Sequence, residues 1–282
     1  MAAEPTLAQR LGYDAAAKLV IVNADDLGLC HSANVGVFEC LHTGTVTSAS
    51  LMVPCPWARE ASSRYRGEDI GVHLTLNAEY PLYRWGPITY APSLLGGDGG
   101  FPSTPADVWD HADLDEVRRE CRAQVERAIL WGFDVSHLDS HTGVLAMRPE
   151  FFDVALELAL EFGLPLRMMG PAAERFLGFP ARQVAAQEGA VFADHLHQVS
   201  SVGARPLFER ELAALQPGVT EFVLHPSVDS AELRSLATED ADARVDDHRL
   251  ICTESWVRDA IAGAGATLIG YRPLRELARA GA

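Results

Sequence analysis

Two adjacent carboxylates follow a short apolar run near the start of the chain. Residues 18–22 read KLVIV, which is typical of a buried β-strand, and the segment continues to Asp25 and Asp26. Each carboxylate would lose hydration there and would repel the other, so two unpaired charges would be costly. We therefore expect a positively charged group opposite Asp25 and Asp26.

Ionisable side chains also stand in or at the ends of three further predicted strands. Catalytic groups of α/β barrels lie at the carboxyl ends of the strands, so these side chains are expected to meet on one rim. They are His73 in 69–76, the trio His137, Asp139 and His141 in 135–141, and Glu221 and His225 in 220–227.

Carboxylate and imidazole groups together favour a divalent metal such as Zn²⁺ or Mn²⁺. One Asp and two His would hold the ion and leave coordination positions for water and substrate, as a catalytic site requires. Neighbouring strand residues point to opposite sides of the backbone. One member of the Asp25-Asp26 pair is therefore expected to bind the metal, and the other to act as a general base.

The spacing in 135–141 places three polar side chains on one strand face, because side chains alternate with period two. His141 is nearest the predicted rim and is the preferred metal ligand, with His137 as the alternative. Asp139 could orient an imidazole by accepting its second N–H.

Each feature taken singly also has a purely structural interpretation. Asp25-Asp26 could form a helix cap and a turn, since Asp favours both places. His73 could be a core histidine, and His225 could mark an ordinary strand exit. His248 falls in a helical or loop segment and is expected to face solvent.

Strand-like and helix-like segments alternate along the chain, which indicates parallel strands with right-handed crossovers. About eight β–α steps within 282 residues favour one domain, 1–282, folded as a closed or distorted (β/α) barrel, with an open doubly wound sheet as the alternative. Strands are predicted over 19–24, 45–53, 69–76, 135–141, 164–169, 190–194, 220–227 and 266–270. Helices are predicted over 33–43 (capped by Ser32), 56–66, 113–131, 149–162, 206–215, 246–263 and 273–280. The Gly/Pro-rich stretch 77–106 is too long for an ordinary connection and is expected to be an active-site loop.

The composition limits the partners and the setting. The formal net charge is −16, and no Lys/Arg cluster provides the basic face that a nucleic-acid partner needs. The five cysteines, at 30, 40, 55, 121 and 252, include no CxxC and fit neither a disulfide framework nor a zinc knuckle, which favours a reducing cytosol. The first residues lack a signal-peptide pattern, and no stretch approaches the ~20 apolar residues of a membrane span. A soluble cytoplasmic protein is expected, and its aromatic and apolar surface could support a homodimer.

Six segments together resemble the YdjC family of carbohydrate deacetylases, also called the ChbG/HpnK family. The resemblance covers most of the chain in the right order, and the first, fourth and fifth segments carry most of its specificity. They are NADDLGL (23–29), Asn34 with Gly36, GTVTSASLMV (44–53), GVHLTL (71–76), SHLDSH (136–141) and EFVLHPS (221–227).

This resemblance implies a distorted (β/α) barrel related to the polysaccharide deacetylases. It also implies hydrolytic removal of an acetyl group from an N-acetylated amino sugar, oligosaccharide or glycoconjugate with one divalent metal ion. Mg²⁺ or Zn²⁺ is favoured, and Mn²⁺, Co²⁺ and Ni²⁺ are alternatives. By motif match, Asp26, His73 and His141 are the metal ligands, Asp25 is the general base and His225 is the general acid.

The substrate is less closely defined than the metal site. Many family members continue the fifth segment as DSHxHxH, whereas Thr142 and Gly143 follow His141 here. Candidate substrate-binding residues are His137, Asp139, Asn77, Tyr83 and Trp85, and the aromatic side chains of 77–106 could either stack on sugar rings or hold the loop to the barrel. A barrel hydrolase of a different amide or ester is one alternative function. A non-catalytic sugar-binding protein is another alternative. It predicts loss of a catalytic or metal-binding residue, and all five of these residues are present: Asp25, Asp26, His73, His141 and His225.

Overall fold

A parallel sheet forms the centre of the protein in the computed structural model, which describes residues 4–200, 202–237, 239–253 and 256–281. The sheet has the strand order β4-β3-β2-β1-β6-β5, and β7 pairs with the beginning of β1. The strands are β1 (Lys18–Leu27), β2 (Ser48–Leu51), β3 (Ile70–Leu74), β4 (Leu138–Ser140), β5 (His195–Gln198), β6 (Gly218–Leu224) and β7 (Ala266–Leu268).

Helices connect the strands and cover the outside of the sheet. The α-helices are α1 (Leu7–Arg10), α2 (His31–His42), α3 (Ala58–Arg64), α4 (Pro105–His111), α5 (Leu114–Leu130), α6 (Pro149–Phe162), α7 (Glu174–Leu177), α8 (Ala181–Gln187), α9 (Arg205–Ala213), α10 (Ala231–Leu236), α11 (Ala241–Cys252), α12 (Trp256–Gly263) and α13 (Arg272–Ala280). Short 3₁₀ turns span Pro92–Leu94, His141–Gly143 and Pro171–Ala173.

The sheet forms a distorted (β/α) barrel, as predicted. Regular strand pairing runs from β4 round to β5. Across the remaining gap, Leu138 forms an isolated parallel bridge with Leu166, and Leu166 N donates to Val191 O (3.0 Å). The open doubly wound alternative is therefore excluded.

Strand β1 lies at the centre of the sheet and brings the carboxylate pair to the rim. It pairs with β6 over Lys18–Ala24. Its pairing with β2 on the other side shifts register between Ala24 and Leu27, which is an irregularity at the end of the strand. Asp26 lies in this irregularity with φ of 65°. A positive φ is uncommon for a residue other than glycine, although Asp and Asn tolerate it better than most. In a regular strand the two neighbouring side chains would point to opposite faces, whereas at this kink both carboxylates reach the same cavity.

Several predicted elements differ from the observed ones. The strand expected over 164–169 is reduced to the single bridge at Leu166, and the strand expected over 190–194 is instead β5, further along the chain. The predicted helix 246–263 is two helices, α11 and α12. Cys30, not Ser32, is the N-cap of α2, because the Ser32 hydroxyl contacts Ser230 and Glu232 instead.

The long connection after β3 is anchored by buried polar contacts. Glu120 on α5 accepts hydrogen bonds from Ile88 N (3.1 Å), Thr89 N (2.9 Å) and Thr89 Oγ1 (2.6 Å). The connection contains the 3₁₀ turn at Pro92–Leu94 and ends where α4 begins. Much of the stretch 77–106 is therefore ordered against the barrel despite its glycines and prolines.

Gly36 on α2 is a site where a side chain cannot be accommodated. A Cβ added there would lie 2.7 Å from Ser227 Cα and 2.9 Å from Pro226 O, in the segment that follows His225. We expect Gly36→Ala to destabilise the protein by about 1–3 kcal/mol in urea unfolding, although alanine is the better helix former. Gly97→Ala is the control, because an added Cβ meets nothing within 4 Å there. Equal stability of the two variants would contradict the prediction.

Candidate active site

Side chains from four strand ends line one large cavity at the carboxyl rim of the barrel. Asp25 and Asp26 come from β1, His73 from β3, His141 from the residue after β4, and His225 from the residue after β6. The cavity has a volume of about 620 Å³. This is within the usual range for small-molecule sites. The expectation that these strand ends converge is met.

Asp26, His73 and His141 form a buried cluster suited to a metal ion. Asp26 Oδ1 lies 3.4 Å from His73 Nε2 and 3.5 Å from His141 Nδ1, and the potential ligand atoms of the three residues lie within 4.8 Å of one another. Asp26 Oδ1 is buried and has no hydrogen-bond partner. A buried carboxylate oxygen without a donor is costly. The donor set and the unpaired oxygen both fit a divalent cation.

Asp139 orients the first imidazole by accepting its second N–H, the role suggested for it from the sequence. His73 Nδ1 donates to Asp139 Oδ1 at 2.5 Å, which leaves Nε2 directed toward Asp26. Burial opposes the protonated imidazole, but the carboxylates of Asp139 and Asp25 outweigh it and raise the pKa of His73 to about 10. The field at this nitrogen strongly favours a cation.

Glu79 holds the second imidazole and was not predicted. His141 Nε2 donates to Glu79 Oε2 at 3.0 Å, so Nδ1 faces Asp26. Burial lowers the pKa of His141, but Glu79 and Asp26 outweigh it and raise the pKa to about 9. Glu79 stands two residues after Asn77 at the start of the long connection, where no strand pattern could indicate its role.

Arg167 is the positively charged group opposite Asp25. Its Nη1 and Nη2 donate to the two Asp25 carboxylate oxygens at 2.7 and 2.8 Å. The same guanidinium contacts Asp139 (2.6 Å) and Glu221 (2.6 Å). Burial would raise the pKa of Asp25, but Arg167 and His73 hold the pKa below its ordinary value. Asp25 is therefore an ionised carboxylate beside the Asp26, His73 and His141 cluster.

Asp26 has an arginine of its own. Arg244 on α11 contacts Asp26 Oδ2 at 2.8 Å and is itself held by Asp240 (2.7 Å) and by Tyr80 Oη (3.1 Å). Burial opposes ionisation of Asp26, but Arg244 and the two imidazoles keep its pKa well below the ordinary value. Each member of the carboxylate pair thus has a separate cation, and neither arginine was predicted.

His225 lines the same cavity and lies beside Asp25. Its Nε2 is 3.9 Å from Asp25 Oδ2, and its side chain is 25% exposed. Burial lowers the pKa of His225, while Asp26 and Asp25 act in the opposite direction. The backbone N of His225 donates to Asp247 Oδ2 at 2.9 Å, so α11 also positions this histidine.

The carboxyl group of Asp247 gives a prediction about stability and pH. Burial raises its pKa to about 7, although His225 N and the Ser200 hydroxyl donate to it. Because the pKa is higher in the folded state than in the unfolded chain, ionisation destabilises the folded state progressively as the pH rises from about 4 through about 7. Asp247→Asn keeps an acceptor without the charge. Urea unfolding should show this variant gaining about 2–4 kcal/mol over the wild type at about pH 8 and little at about pH 4. A gain of the same size at both pH values would contradict this.

Within the part of the chain that the structure describes, the predicted substrate-binding residues do not line the cavity. His137 is fully buried and stacks on Tyr271 at 3.8 Å between ring centroids, and burial lowers its pKa to about 3. This position excludes it as a partner of Asp26, so His141 is the histidine in the cluster. Asp139 is fully buried behind His73.

The other three predicted residues belong to the long connection after β3. They are Asn77, Tyr83 and Trp85. Trp85 Nε1 donates to Asn77 O (2.9 Å), and Tyr83 Oη donates to Leu29 O (2.7 Å). The Trp85 ring packs edge-on to the His141 ring at 6.4 Å. These contacts hold the connection beside the cluster, and contact of the three residues with a sugar stays a prediction.

Residues 19–262 match the family model described as YdjC-like protein. The chain belongs to the YdjC family. All the candidate site residues fall inside the matched span. A relative named carbohydrate deacetylase, from Thermus thermophilus, is 35% identical over 84% of this chain and 88% of its own length.

Two further comparisons agree with the membership in the YdjC family. A relative named chitooligosaccharide deacetylase, from Yersinia pestis, is 34% identical over 54% of this chain and 59% of its own length. A crystal structure from Enterococcus faecalis V583, of a protein with a provisional assignment to cellobiose-phosphate cleavage, superposes with a TM-score of 0.79. That protein is 26% identical, and the match covers 92% of this chain and 99% of its own. Among the described helices, none is both long and apolar enough to cross a membrane.

Proposed function

We propose that this YdjC-family chain is a metal-dependent deacetylase that hydrolyses the acetamide of an N-acetylated amino sugar, as a monosaccharide, oligosaccharide or glycoconjugate. The observation that carries the proposal is the buried Asp26, His73 and His141 cluster, whose unpaired Asp26 oxygen lies beside an ionised Asp25 in a large cavity. The names of the relatives from Thermus thermophilus and Yersinia pestis support a carbohydrate substrate with an acetyl group.

Asp26, His73 and His141 would hold the divalent metal. Mg²⁺ or Zn²⁺ is preferred, and Mn²⁺, Co²⁺ and Ni²⁺ are the alternatives. When bound, such an ion supplies Lewis-acid polarisation of the amide carbonyl and a lowered pKa for water. Asp139 and Glu79 fix the two imidazoles, so the ligand nitrogens need not reorganise when the ion binds.

Asp25 and His225 divide the proton transfers. Asp25 accepts a proton from the attacking water while Arg167 holds the carboxylate in a fixed orientation. His225, in its protonated form, donates a proton to the nitrogen as the C–N bond breaks, and the products are acetate and the free amine. General acid–base assistance of this kind contributes roughly 10²–10⁴-fold to a rate.

Metal content and acetate release, measured together, test this function. Purified protein should release acetate from N-acetylglucosamine oligomers, lose that activity on chelation and regain it when a divalent ion is restored. His141→Ala should bind one ion fewer per chain and release no acetate. His111→Ala is the control, because this exposed histidine on α4 hydrogen-bonds only to the backbone of its own helix in the described structure.

Two results would redirect the assignment. Retention of the metal without acetate release from any sugar would favour a hydrolase of a different amide or ester. Failure of every divalent ion tested to bind at the cluster would contradict the metal-dependent mechanism, and binding of the sugar without turnover would then favour a sugar-binding protein. The cytoplasmic location and the homodimer stay predictions.

A further inference from the structure

A second group of potential metal ligands lies where α2 packs on α11, away from the cavity. Cys40 Sγ and Cys252 Sγ are 3.4 Å apart, and His248 Nε2 is 2.7 Å from Glu39 Oε2. The ligand atoms of Glu39, His248 and Cys252 lie within 4.8 Å of one another. Two sulfurs each about 2.3 Å from one tetrahedral ion lie about 3.8 Å apart, so the thiols need little movement to share an ion.

Helix geometry explains why Glu39, His248 and Cys252 converge, with Cys40 beside Cys252. His248 and Cys252 are four residues apart on α11 and therefore share one face. Glu39 and Cys40 stand in the last turns of α2, opposite that face. His248 is half-buried, not solvent-facing as the sequence suggests, because it packs between Glu39 and Cys252.

The electrostatics of the group agree with a thiolate. Hydrogen bonding from Cys40 and from His248 outweighs burial and lowers the pKa of Cys252 to about 5. The pKa of Cys40 is raised, first because its S–H is shared with Cys252 and also because it is buried. A metal ion would replace the proton that Cys40 now contributes to this pair.

We propose that Glu39, His248 and Cys252, with Cys40 beside Cys252 as a fourth donor, form a second metal site that takes a thiophilic divalent ion such as Zn²⁺. Two thiols, an imidazole and a carboxylate form a soft-to-borderline donor set, which differs from the thiol-free Asp26, His73 and His141 cluster. A disulfide between Cys40 and Cys252 would involve only the two cysteines. It would not account for the position of His248 and Glu39 beside Cys252. The proposal does not depend on the deacetylase reaction.

Helix α11 would link the second metal site to the carboxyl rim of the barrel. Arg244 and Asp247 on this helix contact Asp26 and the His225 backbone, and Cys252 lies near its end. An ion bound by α2 and α11 together would therefore fix the helix that positions one face of the active site.

Cadmium titration of the reduced, metal-free full chain tests the proposal, with His141→Ala in every variant to disable the cavity cluster. We expect a thiolate-to-cadmium charge-transfer band in the ultraviolet that saturates at one ion per chain, together with a higher thermal unfolding temperature. Cys252→Ser should abolish the band. Glu39→Gln, at an exposed carboxylate that should not disturb folding, should weaken cadmium affinity by roughly 10-fold or more.

Cys121→Ala on α5 is the control, because this thiol is buried elsewhere in the core and should leave the band unchanged. Absence of the band in the parent, or a band that persists in Cys252→Ser and is unaffected by Glu39→Gln, would overturn the second site. Loss of the band in Cys252→Ser counts as support only when circular dichroism shows that the variant is folded.

Discussion

Asp25→Asn is expected to reduce the rate of acetate release by roughly 10²–10⁴-fold while leaving the cavity metal in place. Asparagine matches the shape of the carboxylate and can still accept hydrogen bonds, but it cannot take a proton from water. The unpaired oxygen that would hold the ion belongs to Asp26, not to Asp25. Steady-state kinetics and metal analysis of the same preparation measure the two effects separately.

Asp26→Asn and Asp115→Asn complete this experiment. Asp26→Asn should lose both metal and activity, whereas Asp115→Asn, at a largely exposed carboxylate on α5, should lose neither. If Asp25→Asn lost the metal and Asp26→Asn retained it, the roles within the pair would be reversed. A retained rate in Asp25→Asn would remove it as the general base.

Arg167→Met is expected to lower the free energy of unfolding by about 3–5 kcal/mol. The guanidinium is the shared partner of Asp25, Asp139 and Glu221, and all three carboxylates are buried. Removing one member of a buried ionic group leaves uncompensated charge in a poorly solvated place, which costs more than the pair itself contributes. Urea unfolding measures the loss.

Arg122→Met is the matched control for this substitution. Arg122 pairs with Glu161 on the surface between α5 and α6, where an ion pair contributes about 0–1 kcal/mol. Adding Glu221→Gln to Arg167→Met should recover part of the loss, because one buried charge is then removed. Equal losses in Arg167→Met and Arg122→Met would show that Arg167 does not compensate the three carboxylates.

The sequence predicts the candidate site better than it predicts the surrounding charges. Asp26, His73 and His141 stand at strand ends, and strand ends in a barrel converge whatever the details of the loops. Arg167 follows no such rule, because it lies 142 residues from Asp25 in a segment that forms only one bridge. Its place within the apolar run LPLRMM (164–169) indicates a buried charge that needs partners, but no nearby residue specifies which carboxylates these are.

The fold shows the same contrast between repeated pattern and single contacts. The helix predicted over 149–162 is observed with the same limits, because Pro149 and Gly163 mark its two ends and an apolar face runs between them. The start of α11 was missed because its first turns are rich in alanine and aspartate and lack an apolar stripe. Arg244 lies in those turns and is buried through its contacts with Asp26 and Asp240, which only the tertiary structure supplies.

The positive φ of Asp26 limits which amino acids could serve as a ligand at this position. Aspartate and asparagine tolerate this backbone region, whereas glutamate would add strain of about 1–2 kcal/mol before any ion is bound. A natural or designed change of metal preference should therefore arise at position 73 or 141, where the backbone of β3 or the rim does not select a short side chain. The kink that brings two neighbouring carboxylates into one cavity also makes Asp26 the least replaceable of the three proposed ligands.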